Sequence, residues 1–395
     1  VIARAAAAPV GLQVAEGSSM TNAGTLPILV INTGSSTFKW TLFTNDERSL
    51  GGGTEEWNAD DALTRKAQIE ERLRTLPPCQ AVGHRVVHGG ETFEQSVVID
   101  ENVRHELGVL LPLDLLHMQP ALTALDAATE AFPGAVQVAC FDTAFHRTMS
   151  EAAAGYGLPA EWTQRWGLRR FGFHGLSVAW SVDSVRRLAE RLPSRIIIAH
   201  LGSGCSVTAV RDGHSVDTTM GFTPLEGLMM STRSGSVDPG VLFHLHTHHG
   251  VSMLDLEDTL TNRSGLLGVS GISSDMRLIL AAADQGDANA RLAYDRFILY
   301  ARRAVGAMSG VLGGADMLVF TGGVGEHQPR VRRDITGALD AEALDTAAND
   351  KADEGFISRP EGSLGVLVVR AREDLVVLRE VRRLADAARS PPASA

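Results

Sequence analysis

The stretch ILVINTGSSTFKWTLF, residues 28–43, sets four apolar residues ahead of a small polar turn and an alternating run behind it. Alternation puts Thr37, Lys39 and Thr41 on one face of the second run and Phe38, Trp40 and Leu42 on the other. The pattern returns 168 residues later in IIIAHLGSGCSVTAV, residues 196–210. Asn32-Thr33-Gly34-Ser35-Ser36 aligns with His200-Leu201-Gly202-Ser203-Gly204, and each segment meets a second turn signal about ten residues on, Asn45-Asp46 and Asp212-Gly213. A glycine turn lets backbone N–H groups converge on an anion, and Ser35, Ser36 and Thr37 add hydroxyl donors. A tight β-hairpin is the more ordinary explanation of one such turn. Two in register bring a duplicated pair of phosphate loops level with it.

A third strand-turn segment, MLVFTGGVGEH, covers residues 317–327. Between these segments, residues 60–76, 120–131, 177–191 and 288–312 carry apolar residues at roughly i, i+3, i+4 spacing and predict helices. Strands alternating with helices predict an α/β fold, and the internal repeat predicts two duplicated domains. The length of 395 residues agrees with two domains.

Composition narrows the function classes. With 44% hydrophobic and 21% charged residues and a mean hydropathy of +0.01, the chain reads as soluble and globular. A formal net charge of −11 argues against a nucleic-acid surface. No apolar run reaches the roughly 18 residues of a membrane span, and a cytoplasmic location is expected. Cys79, Cys140 and Cys205 are scattered, which suggests neither a disulfide framework nor a zinc site. HLHTHHG, residues 244–250, lacks Cys or carboxylate partners at ligand spacing and reads as a solvated helix end. Residues 1–25 are expected to be a disordered leader and residues 389–395 a disordered tail.

In an acidic protein that handles anions, individual arginines become informative. Arg85 sits in GHRVVHGGE and Arg233 in MSTRSGSVDPG, a small-residue loop. A lone arginine is usually a surface or ion-paired residue; among glycines and serines it has few aliphatic neighbours, and anion capture gains weight. Asp142 in FDTAFH follows an apolar run and falls at a strand's carboxyl end, where α/β sites cluster. A helix cap is the alternative reading. His174 in RRFGFHGLS precedes a helical pattern and would present an imidazole to a phosphoryl oxygen. No GxxxxGK[ST] motif occurs and no strand leads into GxGxxG, which removes the P-loop and the dinucleotide fingerprint.

Taken in order, NTGSSTFK, HRVVHGGE, FDTAFH, RRFGFHGLS, HLGSGCS, VDTTMGFTPLEGLMMSTRSG, SGLLGVSGISSDMR and FTGGVGE resemble the acetate kinase family, within the actin-like ATPase and sugar-kinase superfold. The resemblance implies two actin-like (ribonuclease H-like) domains, with ATP between them. The first would span residues 26–150, completed by a C-terminal helix at 374–388, and the second 151–373. It implies reversible phosphorylation of acetate by ATP with Mg2+ or Mn2+, in a homodimer. Propionate and butyrate kinases of the same family, a non-catalytic nucleotide-binding paralogue and a sugar kinase are the alternatives.

By that resemblance, Arg85 and Arg233 bind the acetate carboxylate and the phosphoryl group in flight, Asp142 is the catalytic carboxylate, and His174 meets the γ-phosphoryl oxygens. Asn32 and Glu373 stand on the metal side. Val87, Leu116, Phe173 and Pro224 enclose the methyl group, with His117 nearby. Ser35, Thr37, Lys39, His200, Gly202, Ser203 and Gly204 serve the ATP phosphates; Asp275, Met276, Arg277, Gly323, Val324 and His327 serve the adenosine side. The chain departs from the family pattern at Ser203 (usually Asn), Met118 (usually Asn), Ser236 (usually Asp) and His327 (usually Asn). These departures bear on nucleotide affinity and acyl-chain choice rather than on the class of reaction.

Overall fold

The computed structural model describes residues 26–34, 37–56 and 62–389; at 62, 63, 115–117 and 389 it describes the backbone alone. The expected leader, Ser35, Ser36, the tail beyond Arg389 and the side chains of Leu116 and His117 lie outside the described residues.

Two six-stranded sheets organise the chain. The first comprises β1 (Ile28–Thr33), β2 (Thr37–Phe43), β3 (Ser49–Glu56), β4 (Ala81–Val86), β5 (Val97–Val98) and β6 (Val136–Phe141), in the order β3-β2-β1-β4-β6-β5. The second comprises β7 (Arg195–Leu201), β8 (Cys205–Arg211), β9 (His214–Thr218), β10 (Met317–Thr321), β11 (Gly355–Phe356) and β12 (Gly365–Val368), in the order β9-β8-β7-β10-β12-β11. The six positions correspond one to one. In each sheet a leading antiparallel meander (β1–β3, β7–β9) joins parallel strands (β1, β4, β6 and β7, β10, β12) and a short antiparallel edge strand. The sequence repeat is therefore a topological duplication, and the fold is α/β with two actin-like domains.

The apolar runs follow from burial on both faces of each sheet. Leu29 and Ile31 of β1 pack with Phe38, Trp40 and Leu42 against Ile69 and Leu73 of the helix Ala62–Arg74 and Ala124 and Ala128 of the helix Leu115–Ala131. Their neighbours Ile28 and Val30 face the other way, onto Val377, Leu378 and Val381 of the helix Glu373–Arg389. The fit of that helix is close: a Cβ on Gly83 of β4 would stand 2.5 Å from methyls of Val377 and Val381.

In the second sheet, Ile197, Ala199, Leu318 and Phe320 face the long helix Ala288–Leu312 through Phe297, Ala301 and Val305. Ile196, Ile198 and Val319 face the helix Gly175–Leu188 through Val178, Val182 and Val185. The helices Gly175–Leu188 and Glu373–Arg389 also touch each other. They form a layer shared by both sheets, so one continuous apolar core joins the two halves of the chain.

Helix ends differ in places from the sequence reading. The helix predicted from Pro120 begins at Leu115, because Met118 already donates a helical bond to the Asp114 carbonyl at 2.9 Å ahead of the proline. The segment from 317 runs as a strand into a short helix, Gly322–His327. The histidine-rich run ends the helix Pro239–His249, with Gly250 in the left-handed conformation at φ 67°. Among the described residues, no helix is long and apolar enough to cross a membrane.

Candidate active site

Three adjacent parallel strands, β1, β4 and β6, end together and deliver Asn32, Arg85 and Asp142 to one spot. Arg85 grips Asp142 with two hydrogen bonds, Nε to Oδ1 at 3.0 Å and Nη2 to Oδ2 at 2.6 Å. Its Nη1 donates to Asn32 Oδ1 at 3.1 Å. Glu373, first residue of the C-terminal helix, lies 3.7 Å from Arg85 Nε. Burial works against the Arg85 charge, but Asp142 and Glu373 more than restore it, so the guanidinium stays charged. Burial raises the Glu373 carboxyl above its ordinary range; Arg85 and Lys39 pull it down, and Asp142 adds to the rise. Lys39 reaches this cluster from β2, directly opposite Asn32 in the ladder.

The second sheet contributes from its corresponding strand ends. His200 lies near the end of β7, and its ring stacks on His174 with centroids 4.1 Å apart. Each imidazole has a serine partner: His174 Nδ1 lies 3.1 Å from Ser206 Oγ, and His200 Nδ1 lies 2.8 Å from Ser177 Oγ. Burial, followed by His200, Arg85, Arg233 and His146, holds His174 well below its ordinary pKa. Burial and Arg85 bring His200 down to about 4 against a pull from Asp142. Both rings are neutral at pH 7.

Backbone contacts lock the two sets together. Gly175 N donates to the Asp142 carbonyl at 2.8 Å, and a Cβ at Gly175 would lie 2.1 Å from that oxygen. Only glycine lets the helix begin so close to the end of β6. His174, at φ 59°, turns the chain into that helix.

The two glycine turns close similarly. Gly34 N donates to Thr37 O at 2.8 Å in the first, and Gly202 N to Gly204 O at 2.9 Å in the second. Ser203 accepts from Ser231 N at 3.2 Å, which ties the second turn to the loop bearing Arg233. A Cβ on Gly204 would lie 3.2 Å from His174 Nε2 and 3.7 Å from Arg233 Nη1, placing all three side by side. Arg233 donates to Pro224 O at 3.2 Å; burial lowers its pKa, with Asp114 opposing.

The remaining pocket and nucleotide candidates divide. Val87 and Phe173 are buried in one cluster, with His88 edge-on to Phe173 at 5.4 Å, and half-buried Pro224 sits on the Arg233 loop. Asp275 caps the helix Met276–Asp284 and pairs with Arg277 at 2.6 Å, so these two are engaged with each other. The Met276 side chain is buried in the core, which leaves its backbone for any ligand. Gly323, Val324 and His327 lie on the short helix after β10, whose strand ends beside β7. Of the departures from the family pattern, Met118 is fully buried in the first domain, and Ser236 accepts from Gly227 N at 3.1 Å, bracing the Arg233 loop.

Several supporting residues were given no role by the sequence. Ser177 and Ser206 orient the paired histidines. Arg170 donates to the carbonyls of Thr218, Thr219 and Met220 at 3.1 Å each and to Glu226 at 2.8 Å, and Tyr156 donates to Glu226 at 2.6 Å; together they anchor the loop that carries Pro224 and Arg233. The motifs contain Arg170, Ser177 and Ser206 but do not show what they hold, because the partners of these supporting residues are 23–70 positions away.

Among the described residues, no three His, Cys, Asp or Glu side chains converge as a metal cage. The oxygens of Asn32, Asp142 and Glu373 around Arg85 instead suit a hard cation shared with a ligand's phosphates. Mg2+ is commonly held this way, by one or two carboxylates plus phosphate oxygens and water.

Comparison with known proteins agrees with this geometry. Residues 62–379 match the model of the acetokinase family. Acetate kinase 2 of Neisseria meningitidis serogroup B is 42% identical over 313 residues, covering 78% of each chain. The acetate kinase of Dictyoglomus thermophilum is 38% identical over 395 residues, covering 91% of this chain and 99% of its own. Among solved structures, the Porphyromonas gingivalis acetate kinase superposes with a TM-score of 0.83 at 34% identity. A propionate kinase from Francisella tularensis gives 0.83 at 32%; each match covers 91% of this chain and all of the other. Two sheets of one topology, a doubly held arginine at their meeting ends and matches along most of the chain agree: this protein belongs to the acetokinase family.

Proposed function

We propose that this chain is an acetate kinase, reversibly transferring the γ-phosphoryl group of ATP to acetate by direct in-line displacement. The observation that carries the reading is Arg85, fixed by Asp142 and Asn32 and facing the loop of Arg233. In the reaction an acetate oxygen forms a bond to phosphorus as the bond to the β-phosphate oxygen breaks, with no net proton transfer. Acetate is ionised near neutral pH, so no base is required.

The difficulty is electrostatic. Two unit charges 4 Å apart repel by about 4 kcal/mol at an effective dielectric near 20. Arg85 and Arg233 offset that repulsion and meet charge on the equatorial oxygens of the transition state. The neutral His174 donates from Nε2, if its Nδ1 accepts from Ser206, to the phosphoryl oxygens. Asn32 and Glu373 would hold Mg2+ with the phosphates, and the cation would supply further neutralisation of the transferring group. The turns at Gly34 and Gly202–Gly204 cradle the ATP phosphates, with Thr37, Lys39 and His200 alongside. Gly323, Val324, His327, Asp275 and Arg277 take the adenosine side. Asp142 keeps Arg85 aimed and charged.

The methyl group sits among Val87, Phe173 and Pro224. One methylene is worth only ~1–3 kcal/mol in an apolar pocket, so neighbouring acids compete. Trapping the acyl phosphate as hydroxamate, with acetate, propionate and butyrate offered separately, is expected to give the highest kcat/KM for acetate. A preference for propionate would reassign the acid, and absence of product from all three despite nucleotide binding would overturn the kinase reading.

A cytoplasmic homodimer completes the proposal. The helix Pro239–His249 buries none of its residues, although Val241 and Phe243 lie on it, and Leu254 on the next helix is 78% exposed. A second copy would cover this apolar face. Phe243→Asp is expected to shift the mass measured by light scattering from dimer towards monomer; a parent protein that is monomeric throughout would refute the assembly.

A further inference from the structure

Arg332 is the bulkiest fully buried side chain among the described residues, 1% exposed, on the helix Pro329–Thr336. No carboxylate pairs with it among those residues. Its donors go to oxygens of two other elements instead. Nη1 donates to the carbonyls of Gly325 at 3.0 Å and Glu326 at 2.6 Å. Nε donates to Asn349 Oδ1 at 2.8 Å and Nη2 to Asn349 O at 2.5 Å. Asn349, fully buried, returns a bond to Pro329 O at 3.0 Å. Burial pushes the guanidinium down to about 10, leaving it charged at pH 7. A cation at the carboxyl end of the helix Gly322–His327 complements the unsatisfied carbonyls there.

That helix has two other sides. Its leading residues Gly323 and Val324 follow the end of β10, beside β7 and the second glycine turn. On its flank, Glu326 Oε1 accepts from Ala371 N at 3.0 Å, two residues before Glu373. One guanidinium therefore fixes the back of an element that in turn holds the approach to the Arg85 cluster. A planar fork with five donors reaches the helix Gly322–His327 and Asn349, on the helix Thr346–Lys351, at once; a lysine, with three donors on a compact head, cannot reproduce it.

We propose that Arg332, with Asn349 and Glu326, is a positioning residue that sets the Gly322–His327 element and thereby nucleotide affinity, without touching the reactants. The proposal rests on the reading above that this element takes the nucleotide. Steady-state kinetics of the full chain test it, with melting temperature and circular dichroism recorded for every variant. Arg332→Lys is expected to raise the KM for ATP about tenfold while the KM for acetate stays within about twofold. Glu326→Ala should raise the KM for ATP several-fold and Glu326→Gln should restore it, because an amide oxygen still accepts from Ala371 N.

A structural role alone would lower kcat in step with the folded fraction and leave both KM values unchanged, which would overturn the proposal. If Arg332→Lys does not fold, the Glu326 pair decides. Gly323→Leu separates the two levels, since a Cβ there meets nothing within 4 Å. If it leaves the KM for ATP unchanged, the nucleotide placement itself fails. If it raises that KM while the Arg332 and Glu326 variants do not, the positioning role alone fails.

Discussion

Asp142→Asn is expected to lower kcat for acyl phosphate formation by about 10²–10³-fold and to raise the KM for acetate. The parent carboxylate accepts from Arg85 Nε and Nη2 simultaneously and is 1% exposed. An amide keeps the shape but offers one oxygen and turns an N–H toward a guanidinium N–H. Arg85 then relies on Asn32 at 3.1 Å and on Glu373 at 3.7 Å, and it swings from the direction that the pair of bonds dictates. Breaking one partner of a buried pair costs at most about 3–5 kcal/mol of stability, so the folded fraction must be checked by circular dichroism before the rates are compared. Nucleotide binding, which depends on the opposite turns, should survive.

Arg85→Lys makes the complementary test. Lysine preserves the charge and loses the fork, so it cannot hold both Asp142 oxygens and Asn32 together. A loss of the same order is expected. The double variant should be little worse than either single one, because the two residues act as one unit and their effects are not additive. Strictly additive losses, or an Asp142→Asn enzyme within tenfold of the parent rate, would show that Asp142 does not act through Arg85.

The fold was legible where a pattern repeats along the chain. The turn at Gly34 and its partner at Gly202 mark equivalent positions of two sheets, and the alternation of Phe38, Trp40 and Leu42 agrees with their burial. The continuous apolar runs of β1 and β7 also made sense once both faces proved covered. Of the helix Pro239–His249 only the histidine-rich end was legible, because Val241, Leu242, Phe243 and Leu245 follow no single face, and among the described residues Val241 and Phe243 stay exposed. Motif order named residues that the structure brings together at one place: Asn32, Arg85, Asp142, His174, His200, Arg233 and Glu373. It could not name their supports. Ser206 for His174 and Arg170 for the Arg233 loop depend on where distant segments return in space, and Arg332 depends on its burial against Asn349, 17 positions away. Even inside a motif, as Ser206 and Arg170 are, the linear reading shows the residue and not its partner. Gly175 is intermediate: the sequence shows a glycine beside His174, but only the fold shows the Asp142 carbonyl that forbids a side chain.

Acid should unfold the protein earlier than its carboxylates alone require. Burial is the leading cause that brings His84, His88, His146 and His200 from 6.5 to about 4 and holds His174 well below 6.5. Their hydrogen bonds are those of neutral rings. His84 Nε2 lies 2.8 Å from Gln137 Oε1, so it donates, while its Nδ1 has no partner among the described residues. His88 Nδ1 accepts from Gly90 N at 2.9 Å, and His146 Nε2 donates to Phe173 O at 2.9 Å while its Nδ1 faces Ser215 Oγ. A second proton would go onto Nδ1, against a backbone N–H in His88 and into an apolar sheet in His84. The folded pKa lies below the unfolded one, so between about 6.5 and 4 the unfolded chain binds more protons. Stability is full above pH 6.5 and falls as pH drops through that window, by up to about 3 kcal/mol for each ring, against a typical total of about 5–15 kcal/mol. Glu373 and Asp217, whose pKa values are raised chiefly by burial, oppose the fall in its lower part. Carboxylates held low by their partners, such as Glu47 with Arg379, lose their contribution below the usual carboxylate range and leave the interval from pH 6.5 to 5 to the histidines. Urea midpoints measured at half-unit steps from pH 8 to 5 should be flat above 6.5 and decline below it. His84→Gln, which has no proton to gain, should flatten part of that slope even if it lowers the plateau. Midpoints constant down to pH 5 would mean that these rings find partners for the charged form, and that the sheets open to water around them.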